Sequence, residues 1–199
     1  FGSIVRGEVK SNSDTDVLVI VPDSGKAALY PDSWSVYPKK TITKYFEEGR
    51  LFAWHLYLDA KCVYSDNSTP FIQELGEPSV FKSFEEDFYS LKKLIFESLT
   101  ELENSTKSPI FELGIIYTAL RDIAMICSTK LLDRPCFSRY SPYRLPLNFP
   151  VSAELFESMI VARLNSTRGL EFSGNPAALS EGILSSRVIE WIEDLENIL

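Results

Sequence analysis

Two short stretches near the start of the chain carry residue types that phosphoryl chemistry uses. Gly2-Ser3 is followed, after ten residues, by Asp14-Thr15-Asp16, and then by Val17-Leu18-Val19-Ile20-Val21. A glycine lets backbone approach a ligand closely, and a serine adds a hydroxyl and an amide for phosphate oxygens. The apolar run reads as a buried strand. Side chains two apart in a strand share a face, so Asp14 and Asp16 are expected side by side at its start. Two carboxylates this close repel each other, and a divalent cation bridging them relieves the repulsion. A cradle for the phosphate tail and acids that hold Mg²⁺ between a nucleophile and the α-phosphate are the two parts such chemistry needs. Each half alone has a plainer reading, Gly2-Ser3 as a turn and Asp14-Thr15-Asp16 as a polar strand entry. The combination at this spacing argues for chemistry.

The elements that must position these residues change character near residue 70. Before it, the chain is mixed: the strand at 17–21, a second candidate at Trp34-Ser35-Val36-Tyr37 that stops at Pro38, a helix over 43–59 that Gly49 can interrupt, and a short strand at Cys62-Val63-Tyr64. After it, helices dominate. Ser83-Phe84-Glu85-Glu86 is a capping box, and Phe84, Phe88, Leu91, Ile95, Leu99 and Leu102 recur at helical spacing. Ser108-Pro109 opens a helix to about Leu132, Ser152 caps another that ends before Gly169, and Asn175-Pro176 opens a last one reaching Leu195. The fold class expected is α+β, with a small mixed-sheet α/β domain at 1–69 followed by an all-α helical bundle at 78–199.

Composition narrows the functions. The chain has 199 residues, a formal net charge of -8, one histidine and three cysteines. Residues 1–69 carry 8 Lys/Arg against 9 Asp/Glu, and the rest carry 12 against 19, so the acidity belongs to the helical part. That balance argues against general nucleic-acid binding. No run approaches the roughly 18 apolar residues of a membrane span. Cys62, Cys127 and Cys136 form no C-x-x-C pair, which suggests neither a disulfide framework nor a zinc site and fits a reducing cytoplasm. A lone histidine excludes a multi-His metal centre, so any metal rests on carboxylates, which suit Mg²⁺ or Mn²⁺.

Gly-Ser, ten residues, Asp-x-Asp and a β run resemble the signature of the polymerase-β-like nucleotidyltransferase superfamily. Arg6-Gly7-Glu8 and Ser13 are similar to its minimal nucleotidyltransferase branch, known from bacteria. The helical part is more loosely similar to the C-terminal domain of kanamycin nucleotidyltransferase and to HEPN-like substrate-binding domains. The resemblance implies that Gly2 and Ser3 contact the nucleotide's phosphates, with Arg6 and Ser13 beside them, and that Asp14 and Asp16 bind Mg²⁺ or Mn²⁺ and are catalytic. It also implies a third carboxylate on a later strand acting as general base. Trp34–Tyr37 holds no acid, which leaves Asp32 just before it as the first candidate and Asp59 as the second. In that family a helix and a strand normally precede Gly-Ser, so a further N-terminal portion is expected.

The activity implied is transfer of a nucleoside monophosphate, AMP from ATP or another NTP, to a hydroxyl of a small molecule or protein. The alternative is a degenerate, weakly catalytic relative that acts as a regulatory or antitoxin-like binding partner. A homodimer through the helical domain is compatible with either. His55, among Trp54, Leu56 and Tyr57, reads as a packed, hydrogen-bonded histidine. Arg121 lacks the following histidine of HEPN ribonucleases, so that activity is not expected. Arg134, Arg139 and Arg144 lie among Phe137, Tyr140 and Tyr143, in a loop that either lines a pocket or packs on itself.

Overall fold

The computed structural model describes residues 1–9, 13, 15–22 and 30–199. They divide into two compact units: Phe1–Ser83 together with Phe137–Arg139, and Phe84–Cys136 together with Tyr140–Leu199. No helix is long and apolar enough to cross a membrane among the described residues.

In the first unit the β-branched run forms β1 (Leu18–Val21), which pairs in parallel with β2 (Ser35–Pro38) in the register Leu18 to Ser35 and Val21 to Pro38. Alternation sends Leu18 and Ile20 onto a core of Ile42, Phe46, Ala53 and Leu56. Pro38 ends β2 and directly precedes α1 (Lys39–Glu47), where its fixed φ of -62° suits the start of a helix. α2 (Leu51–Asp59) follows. The single helix expected over 43–59 is therefore two, parted around Gly49, where the carbonyls of Ser79 and Val80 pass too close for any side chain. The strand expected at Cys62–Tyr64 does not form: Val63 is 98% exposed, so nothing covers a strand face there. A short α3 (Phe71–Leu75) lends Phe71, Ile72 and Leu75 to the core.

The second unit is helical. α4 (Phe84–Glu103) and α6 (Ala153–Arg168) both pack against α5 (Pro109–Leu131). α5 is buried along most of its length, from Leu113 to Ser128, which explains why it is apolar nearly all round. Gly114 permits a close approach of α5 to α6: a Cβ there would sit 2.9 Å from the Arg163 Cα. The Ser152 hydroxyl accepts from the Leu155 amide, and Asn175 accepts from the Ala177 and Ala178 amides, so these two caps form where the sequence places them, whereas the Ser108 side chain makes no cap bond to α5. The last helix expected is two, α7 (Pro176–Leu184) and α8 (Val188–Ile198). Between them the Ser185 and Ser186 hydroxyls donate back to the Gly182 and Ile183 carbonyls, which offers the backbone an alternative to helix at that point.

Candidate functional site

The Gly2-Ser3 stretch is one helical turn closed at its end. Arg6 N–H donates to the Gly2 carbonyl at 3.3 Å, Gly7 N–H to Ile4 at 3.1 Å and Glu8 N–H to Ser3 at 2.9 Å. The last two bonds, with Gly7 at φ +75°, make a Schellman motif. Gly7 is thus required because the turn must reverse through the left-handed region. The result is a tight, self-bonded loop with Ser3 buried.

Gly2, at φ +82°, faces Asp16. A Cβ on Gly2 would lie 1.9 Å from Asp16 Oδ2 and 2.8 Å from its Cγ, so the carboxylate occupies the space any other side chain would fill. The Phe1 nitrogen donates to the Asp16 carbonyl at 3.0 Å and fixes the same approach from the backbone. Ser35 N–H donates to the Val17 carbonyl at 2.9 Å, so strand pairing takes hold immediately after Asp16. Two residues of the motif, one suited to a phosphate and one to a cation, are held against each other.

Arg6 anchors the loop to α2. Its Nε donates to Glu8 Oε2 at 3.1 Å, and its Nη1 lies 3.0 Å from His55 Nε2 and 3.2 Å from Asp59 Oδ2. A guanidinium only donates, so the contact is a hydrogen bond in the tautomer whose Nε2 carries the lone pair. Asp59 Oδ2 stands 3.5 Å from the same nitrogen. All four side chains are largely shielded, between 13% and 19% exposed. His55 also stacks on Phe137 at 5.0 Å and meets the edge of Phe1 at 5.5 Å.

The remaining predicted residues fall in different places. Asp14 lies outside the described residues. The Ser13 hydroxyl accepts from Arg139 Nη2 at 3.4 Å. Asp32 is exposed in the turn that Trp34 N–H closes onto the Pro31 carbonyl at 2.9 Å. Because the strands are parallel, that turn leads into β2 at the same sheet end from which Asp16 leads into β1. Asp59 is engaged by Arg6. The sequence offered Glu8 only as part of the Arg6-Gly7-Glu8 stretch, with no role of its own, and did not join His55 to Arg6; the signal was a charged residue two beyond Arg6 and one histidine in an apolar helix.

Among the described residues, no three of His, Cys, Asp and Glu cluster to hold a metal ion. Mg²⁺ does not require such a cluster, since it is commonly held by one or two carboxylates and the substrate's phosphates. Asp16, hard and half-buried beside the Gly2 loop, fits that donor set, and Asp14 is the second acid the sequence supplies.

Residues 1–88 match the family described as the nucleotidyltransferase domain. No curated protein and no solved structure gives a significant match. The family match covers the loop, Asp16, both strands, α1, α2 and α3, and so supports nucleotidyl transfer as the general chemistry of the segment that carries this site.

Proposed function

We propose that this protein transfers a nucleoside monophosphate, AMP from ATP, to a hydroxyl group of a small molecule or a protein side chain. The observation that carries the reading is the seat of the Asp16 carboxylate against the Gly2 backbone, within the segment that matches nucleotidyltransferase domains. Asp14 and Asp16 would hold Mg²⁺. When bound, that ion neutralises phosphate charge and polarises the α-phosphate toward attack. The Gly2–Glu8 turn offers backbone amides and the Ser3 hydroxyl to the phosphates. Arg6, tied to Glu8, His55 and Asp59, keeps the turn rigid against α2, so its role is to position the loop. Asp32 is the first candidate to accept the acceptor's proton, and the helical region is the candidate acceptor-binding domain.

Transfer from ATP labelled at the α-phosphate, compared with ATP labelled at the γ-phosphate, tests this over a panel of hydroxyl acceptors. Label moving to an acceptor from the α position alone supports the reading. Label moving from the γ position would make the protein a kinase and contradict it. No transfer across the panel, from a protein that also fails to bind Mg·ATP, would contradict it equally.

A further inference from the structure

Phe137-Ser138-Arg139 is remote in sequence from residues 1–83, yet it packs within the same compact unit. Phe137 is 6% exposed and lies flat on His55, with an interplanar angle of 17°. His55 in turn meets Arg6, whose backbone is part of the Gly2–Glu8 turn. Ser138 is 3% exposed. Two residues beyond Phe137, the Arg139 guanidinium donates to the Ser13 hydroxyl at 3.4 Å, across a sequence separation of 126 residues. Ser13 directly precedes Asp14-Thr15-Asp16. Two residues of chain span at most about 7 Å. One short segment therefore touches both halves of the motif, the phosphate loop through Phe137 and His55, and the acid stretch through Arg139.

Placing a cation there has a chemical use. A guanidinium has five N–H donors in a planar fork, and the Ser13 hydroxyl engages one end of it. The fork matches phosphate oxygens, and such charge-assisted bonds are the strong ones. We propose that Arg139 binds the β- and γ-phosphates of the nucleotide, a deepening that rests on the nucleotidyl-transfer reading. In that reaction the acceptor oxygen bonds to the α-phosphorus and the bond from that phosphorus to the α–β bridging oxygen breaks. Pyrophosphate leaves with the electron pair, and the acceptor's proton passes to a general base, for which Asp32 is the first candidate. Arg139 balances the charge that builds on the departing pyrophosphate. The flat stack of Phe137 on His55 and the burial of Ser138 fix the backbone from which it reaches.

Calorimetric titration of the full chain with Mg·ATP and with AMP, in the native protein, Arg139→Gln and Arg139→Lys, tests the assignment. The ratio of the AMP to the ATP dissociation constant should fall about tenfold in Arg139→Gln, through weaker ATP binding with AMP nearly unchanged. Arg139→Lys, which keeps the charge and loses the fork, should lower the ratio by about threefold. An unchanged ratio overturns the proposal, whether both constants stay put or weaken together, because a structural role moves both ligands alike. If Arg139→Gln does not fold, the lysine variant carries the same comparison. A native protein that binds neither ligand defeats the nucleotidyl-transfer reading itself. Asp16-dependent ATP binding with no effect at Arg139 defeats this inference alone.

Discussion

The contact between Gly2 and Asp16 joins a backbone requirement to a carboxylate position. Replacing Gly2 with alanine sets a methyl group 1.9 Å from Asp16 Oδ2 and asks an L-residue to hold φ +82°. The carboxylate is the softer partner and must swing aside. Gly2→Ala should therefore weaken Mg·ATP binding by tenfold or more while costing only about 1–2 kcal/mol of stability, as titration and urea denaturation would report. Arg6 behaves differently. Arg6→Ala strips the cation from Glu8 and Asp59 and a donor from His55, so it should cost roughly 1–3 kcal/mol in urea denaturation. At this scale the sequence was legible where the residues lie close together. Gly2, Ser3 and Asp16 stand out because spacing alone relates them. Arg139 and Ser13, 126 residues apart, share no periodicity that could announce their contact, and Phe137 and His55 meet across a comparable distance.

Elements were legible in proportion to their amphipathic pattern. α4 appears at the expected place because apolar residues recur there at three and four, and α6 because Ser152 caps its start and Gly169 ends it. The single helices expected over 43–59 and after Asn175 each break into two, in both cases where backbone or serine hydroxyls compete with the helix. Cys62-Val63-Tyr64 has strand propensity and no surface to cover it, so propensity loses. The contact of α5 with α6 carries a prediction. Gly114→Leu drives a side chain into the Arg163 backbone and should lower the melting midpoint strongly, by several degrees or more. Cys127 on α5 and Tyr143 in the turn at Ser141–Arg144 also set an alkaline limit. Burial pushes the Cys127 thiol from its ordinary 9.0 up to about 12, and burial, then Glu157 and Glu154, push the Tyr143 hydroxyl from 10.0 up to about 12. Well below pH 9 both groups are protonated in folded and unfolded chains alike, and stability is unaffected. Above it, the unfolded chain loses protons that the folded one keeps, so stability falls as pH rises toward 12. Urea midpoints measured from pH 7 to pH 11 should be flat and then decline, and Tyr143→Phe should shallow the decline above pH 10.

Across the whole chain, charge is divided unevenly. Residues 70–199 hold 12 Lys/Arg against 19 Asp/Glu, while residues 1–69 are nearly neutral. If the helical region presents the acceptor, a cationic acceptor gains from that field, and its KM should rise with ionic strength while the KM of a neutral acceptor stays level. The change in patterning near residue 70 announces strands before it and mostly helices after it; the compact units divide instead between Ser83 and Phe84, and the described sheet is parallel rather than mixed. The transfer of Phe137–Arg139 to the first unit was not foreseeable, because nothing local in that loop distinguishes packing on itself from packing elsewhere. Calorimetric titration with Mg·ATP of the native protein beside Asp16→Ala tests most directly whether the Asp16 carboxylate serves the nucleotide. Binding at millimolar ATP or below, weakened about tenfold or more in the variant, is the predicted result. No binding at millimolar ATP, or the same affinity in both proteins, would contradict it.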